Sequence, residues 1–141
     1  MFIDTNILVN ARFAEAADRL RARGRLERAS LDHEPMRISR QIAREYLATV
    51  TRPQTWFVPL TLEQALYDVN RMLNTYEVLE DGPAVTEVLL ELLREVPAGG
   101  RQIHDANIVA TMLAHGERRL LTFNTADFRR YGDRIELIEV S

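Results

Sequence analysis

The chain has 141 residues, 46% of them hydrophobic, a net charge of -3 and no cysteine. That length suits one domain with a real core, and the missing cysteine excludes a disulfide framework, a thiolate zinc site and a cysteine nucleophile. All 18 basic residues are arginine, which excludes a P-loop lysine and a Schiff base, and the mild acidity argues against a basic coat for nucleic acid.

The absence of lysine has two readings: codon bias in a GC-rich genome, or phosphate binding, which the forked guanidinium suits. No basic-then-apolar leader opens the chain, and no apolar run is long enough to span a bilayer. A soluble, cytoplasmic protein is expected.

The first predicted element is a strand at Phe2 and Ile3, closed by Asp4. It places a carboxylate at a strand's C-terminal end, where open α/β sheets bind ligands. Thr5 and Asn6 add a hydroxyl and an amide. Ile7 to Val9 stays apolar, and a helix follows from Ala11 to Leu26, rich in good helix formers. The arginines of the segment Arg12 to Arg28 make either a solvated helix face or an RNA-facing stripe. Ser30 to Pro35 reads as a polar loop.

A second strand is expected at Met36 to Ile38. Ser39 then caps a helix running to Val50. Ile42, Tyr46, Leu47 and Val50 share one face, and Glu45 flanks it beside Ile42, within reach of a cleft at the core's edge. Thr51-Arg52-Pro53 ends the helix, because the residue before proline avoids helical angles. A third strand is read at Trp56 to Pro59.

Thr61 and Gln64 have the form of a capping box, and Leu62 to Tyr76 follows helical spacing closely. Asp81-Gly82-Pro83 is a turn with Pro83 at a first helical position. Val85 to Val96 is a further helix, stopped by Pro97 to Gly100. These two helices read as a hairpin, whose apolar surface serves either core packing or a homodimer contact. Asp105 opens the next helix, which ends at Gly116. Leu120 to Phe123 and Ile135 to Val140 are the fourth and fifth strands, with a short helix between them near Phe128. Strands alternating with helices argue for a single-domain, parallel, three-layer α/β fold over residues 1–141.

Each acid has an ordinary reading alone. Asp4 closes a strand, Glu45 sits on an exposed helix, and Asp105 and Asp127 make good N-caps. Jointly, Asp4, Glu45, Asp105 and the pair Asn124 and Asp127 converge at one sheet edge if strands one and four are neighbours. Crowded carboxylates repel, and a hard divalent cation removes the conflict. Oxygen donors with no His or Cys ligand set suit Mg2+ or Mn2+ better than zinc. Such a site can activate water and clamp a phosphodiester.

At these residues the sequence resembles the PIN-domain family, particularly its single-domain VapC-like members. The matching segments are Phe2-Ile3-Asp4-Thr5-Asn6, Glu45 in its helix, Asp105 to Ala110, and Leu121 to Phe128. The resemblance implies a five-stranded parallel sheet of order 3-2-1-4-5. It implies metal-dependent cleavage of RNA leaving 5′-phosphate and 3′-hydroxyl ends. Asp4, Glu45, Asp105 and Asp127 would be the acidic quartet, with Asp4, Asp105 and Asp127 holding the metal. Thr5, Asn6 and Asn124 would order the site or the attacking water. It further implies the toxin half of a toxin–antitoxin pair, whose small antitoxin wraps the helical hairpin and places a basic side chain near the acids.

A phosphoacceptor receiver domain needs a lysine, which the chain lacks. A haloacid-dehalogenase-like phosphatase needs a second aspartate where Asn6 stands. A non-catalytic PIN fold that binds RNA or protein, and a PIN nuclease of housekeeping RNA processing, remain as alternatives.

Overall fold

The structure, a computed structural model, describes residues 1–140. Its strands are β1 (Phe2–Ile3), β2 (Arg37–Ser39), β3 (Glu77–Leu79), β4 (Arg119–Leu121) and β5 (Glu136–Ile138). Its helices are α1 (Thr5–Arg12), α2 (Arg19–Leu31), α3 (Arg40–Thr51), α4 (Leu62–Thr75), α5 (Pro83–Glu95), α6 (Gln102–Ala114) and α7 (Thr125–Phe128). The strands form one five-stranded sheet in the order β3-β2-β1-β4-β5, parallel at every pairing. This is the order that the resemblance implies.

β1 lies at the centre, and both of its residues are fully buried. A strand buried on both faces carries apolar residues without alternation, as Phe2 and Ile3 do. α1 packs on α2 and α3, α3 on α4, and α5 on α6. The two helix groups complete the three-layer α/β/α arrangement and bury Ile7, Ile42, Tyr46, Ile108 and Met112 against the sheet. The chain reverses direction across the sheet between β1 and β4, and at such a switch the strands' C-terminal ends leave a crevice.

Four expectations are overturned. The third strand is Glu77–Leu79, paired with β2 in the register Arg37↔Glu77, Ile38↔Val78 and Ser39↔Leu79. Trp56 to Pro59 is irregular. Pro53 and Pro59 offer no N–H to a ladder, and Phe57 instead stacks on Phe13 with ring centroids 3.8 Å apart. The segment that became β3 starts directly after a long helix, so its three residues merge with the helical pattern. With β3 between them, α4 and α5 are not a hairpin: α4 packs on α3 and α5 on α6.

The predicted helix Ala11 to Leu26 is two helices. α1 starts at Thr5, because the Asp4 side chain accepts from Thr5 N and caps it. Burial of Ile7, Leu8 and Val9 on one turn then outweighs their strand preference. α1 stops where Phe13 turns extended to join the aromatic stack. Lastly, α6 begins at Gln102, so Asp105 sits inside its first turn and is not its N-cap. The ends of β2, β4 and β5 move by one or two residues from those expected.

Much of the arginine-rich segment ties the fold together. Arg25 is 9% exposed and pairs with Glu34 at 3.1 Å. Arg12 pairs with Asp68 at 2.9 Å, and Arg21 reaches both Asp18 and the Val140 carbonyl. These contacts favour a structural role over a continuous RNA-facing stripe.

Candidate metal-dependent active site

Asp4 follows β1, and its backbone N–H continues the ladder to the Leu121 carbonyl of β4. Its side chain is therefore held at the sheet's C-terminal edge. Oδ1 accepts from Thr5 N at 2.8 Å; Oδ2 accepts from Thr122 Oγ1 at 2.7 Å and from Asn6 Nδ2 at 3.2 Å. Asn6 also donates to Thr122 Oγ1 and accepts from Phe123 N. The segment after β4 is thus sewn to the start of α1, which carries Asn124 to the same edge.

Glu45 arrives from α3. Its Oε2 accepts from Thr5 Oγ1 at 2.8 Å, and its Oε1 from Gln41 Nε2 at 2.9 Å. Gln41 is buried and also donates to the His104 carbonyl at 2.8 Å. Asn107 Nδ2 in turn donates to Gln41 Oε1 and to Asp81 Oδ2. A chain of amides runs from the acids across α6 to the loop before α5.

Asp4, Thr5, Asn6, Glu45, Asp105 and Asn124 line one cleft of about 560 Å³. Asp127 stands outside those lining residues, exposed on α7, yet its charge helps to push the Asp105 pKa up. Of the residues singled out in the sequence, the structure brings Asp4, Glu45, Asp105 and Asn124 into one cleft, while Asp127 is a neighbour of it. Gln41 and His104 are not singled out by the sequence, and Asn107 and Thr122 enter there only as members of matching segments, without a role. Gln41 precedes Glu45 by four positions, hence on the same helix face, and Thr122 directly follows β4; both signals were legible.

The electrostatics are those of crowded acids. Burial raises the Asp4 pKa to about 6, with Glu45 and Asp105 adding to the rise and the bonds from Thr122 and Thr5 opposing it. Asp105 is pushed up by burial first, then by Asp127 and Glu45. Among the described residues, no three acidic, histidine or cysteine side chains close on a common point as a ready cation cage. The donor set itself fits a hard divalent ion: amide oxygens beside the Asp4 and Asp105 carboxyls, whose negative form is disfavoured until a cation offsets it. The single imidazole lining the cleft, His104, does not make a zinc set.

A second concavity of about 330 Å³ includes Leu8, Arg12, Tyr46 and Asp68 in its lining and shares no residue with the cleft. Its one carboxylate is already engaged by Arg12 at 2.9 Å and by the Tyr46 hydroxyl at 2.5 Å. The acidic cleft is therefore the candidate site.

The chain is similar to Ribonuclease VapC43 of Mycobacterium tuberculosis and to a VapC ribonuclease of Mycobacterium bovis. Each is 26% identical over 113 residues, covering 79% of this chain and 77% of the relative. Its fold is similar to a chain in the crystal structure of VapBC2 from Rickettsia felis bound to a promoter DNA fragment, with a TM-score of 0.71, 21% identity and 98% of each chain covered. It is also similar to a chain of a toxin-antitoxin complex from Klebsiella pneumoniae, with a TM-score of 0.63, 21% identity and coverage of 99% and 97%. The family model described as PIN domain matches residues 1–134, and the chain belongs to the PIN domain family.

Proposed function

We propose that the chain, acting as one domain over residues 1–141, is a Mg2+- or Mn2+-dependent endoribonuclease. It hydrolyses phosphodiester bonds in RNA and leaves 5′-phosphate and 3′-hydroxyl ends. The observation that carries this reading is the buried Asp4 carboxyl, its pKa raised to about 6, in one cleft with Glu45 and Asp105. An acid buried and crowded in this way costs stability unless a cation or its surroundings use the charge.

In this reading Asp4 and Asp105 would hold the metal most directly, with Asp127 assisting from the rim through water or a second ion. When bound, the ion supplies charge neutralisation for the scissile phosphate and lowers the pKa of water. Glu45, held by Thr5 and Gln41 from two sides, orients the attacking water and takes its proton. Asn6 and Thr122 keep Asp4 turned toward the cleft, and Thr5 and Asn124 order the water and substrate beside it.

The likeness to VapC ribonucleases and to chains of VapBC and toxin–antitoxin complexes supports a place as the toxin of a toxin–antitoxin pair, acting in the cytoplasm. The partner is a small antitoxin that brings a basic side chain to the acids. Leu62 and Leu66 on α4, 64% and 46% exposed, support a homodimer.

Purified chain incubated with RNA in Mn2+, in Mg2+ and in EDTA tests the reading. Cleavage in either metal, silence in EDTA, and products that accept ligation through a 5′-phosphate are expected. RNA binding without cleavage in both metals would instead make this a non-catalytic PIN fold.

A further inference from the structure

Trp56 lies in the loop between α3 and α4 and lines the cleft that holds Asp4, Glu45 and Asp105. An exposed apolar side chain alone means little. Three features set this one apart. It is 40% exposed and lines a cleft that also carries three carboxylates. It is anchored: the indole meets Phe57 at 4.5 Å and Phe13 at 5.9 Å, edge to face at 79° and 81°. Phe13 and Phe57 are themselves buried and stacked on each other, so the indole stands on a rigid base while neither phenyl ring lies flat on it.

The third feature is its company. Arg52 and Arg101 line the same cleft and are exposed. Arg12, Arg21, Arg25, Arg37, Arg40, Arg119 and Arg134 are each ion-paired to a carboxylate. Among the described residues Arg52 and Arg101 have no such partner. Two uncommitted guanidinium groups beside acids that attract cations are placed for an anion that arrives with its own metal. A flat aromatic plate next to a phosphate-binding cation is the arrangement that single-stranded nucleic acid uses, with bases stacking while the backbone is neutralised.

We propose that Trp56, flanked by Arg52 and Arg101, is a stacking subsite for one unpaired base of an RNA strand lying across the acidic cleft. The proposal rests on the ribonuclease reading for its ligand, and it makes the enzyme selective for single-stranded over duplex RNA. A paired base is already stacked and cannot lie on the indole.

Trp56 is the only tryptophan of the chain, so its fluorescence reports on the subsite directly. The titration uses the Asp105→Asn chain with Mg2+ and an unstructured oligouridine of about ten nucleotides, within the range one such groove holds. Quenching that saturates with oligouridine, and none with inorganic polyphosphate, is expected. In the same background Trp56→Ala should weaken binding by about 10-fold, measured by anisotropy of a labelled oligonucleotide, and Trp56→Phe by less than about threefold. Equal quenching by polyphosphate overturns the subsite, as does RNA binding that leaves the fluorescence and the Trp56→Ala affinity unchanged. Fluorescence that responds to protein dilution and not to RNA would make Trp56 a protein–protein contact, and it also overturns the proposal. Base-dependent quenching together with no cleavage by the unsubstituted chain in Mn2+ would leave the subsite standing and remove the nuclease reading.

Discussion

Thr122 Oγ1 donates a 2.7 Å hydrogen bond to Asp4 Oδ2, joining the residues that follow two neighbouring strands, 118 positions apart. The same oxygen accepts from Asn6 Nδ2 and Asn124 N. One hydroxyl therefore holds the buried acid down in pKa and ties the loop after β4 to it.

Thr122→Val should raise the Asp4 pKa above its present value of about 6. The acid limb of the pH–rate profile should then move to higher pH. Loss of the acceptor for two donors should cost about 1–3 kcal/mol of stability. Thr122→Ser, which keeps the oxygen, should restore the profile. An acid limb that stays in place in Thr122→Val would show that Asp4 does not control it.

Asp105→Asn should abolish cleavage and yet hold or raise the metal-free Tm at pH 7, by about 2–4 °C for each 1 kcal/mol of relieved repulsion in a chain this size. Asp105 is half-exposed, so solvent screening keeps the gain at the low end. Its side chain caps nothing in α6, so no cap is lost. A large fall in metal-free Tm would contradict the crowded-acid account.

Asp4 sets a pH dependence with a definite sign. Its carboxyl has a folded pKa of about 6 against the ordinary aspartate value of 3.8, so the folded state binds this proton more tightly than the unfolded one. The group costs nothing below about 4, and its cost grows as pH rises to about 6 and is then constant. Glu34 and Glu117, whose pKa values are lowered by Arg25, Arg119 and Arg37 among their partners, work in the opposite sense. The test is therefore a difference: Tm of Asp4→Asn minus that of the unsubstituted chain, without metal. It should become more positive from pH 4 to pH 6. A flat difference would mean that Asp4 titrates normally.

Mn2+ or Mg2+ should raise the Tm of the unsubstituted chain by mass action, by about 2.7 kcal/mol of added stability when the metal is at 100 times its Kd. The increment should shrink in Asp4→Asn and in Asp127→Asn. Thermal melts against metal concentration measure it, and no shift with either ion would remove the metal site.

Gln41→Leu should lower kcat by about 10- to 100-fold with KM little changed, because Glu45 loses one of its two donors and its position. Stability should fall too, since the His104 carbonyl also loses its Gln41 donor. A drop in Tm with normal kcat would make Gln41 purely structural.

The residues near Asp4 were legible because they are local. A strand closed by an acid, a threonine-asparagine pair beside it, and a second strand followed by Asn124 and Asp127 each announce themselves within a few positions. The capping box of Thr61 and Gln64 was found for the same reason, and it is formed on both sides. Composition alone removed cysteine and lysine chemistry. What tertiary structure decided was everything set by partners far away. β3 exists because Glu77 to Leu79 pairs with β2, and a three-residue strand has no periodicity of its own. Trp56 to Pro59 looked like a strand by residue type, but Phe57 found Phe13 instead of a ladder. The chain of Thr5, Glu45, Gln41 and Asn107 depends on three helices from both layers meeting at the sheet's C-terminal edge. Hydrogen bonds across 40 and 66 positions leave no mark in local spacing, because packing chooses them after the elements have formed.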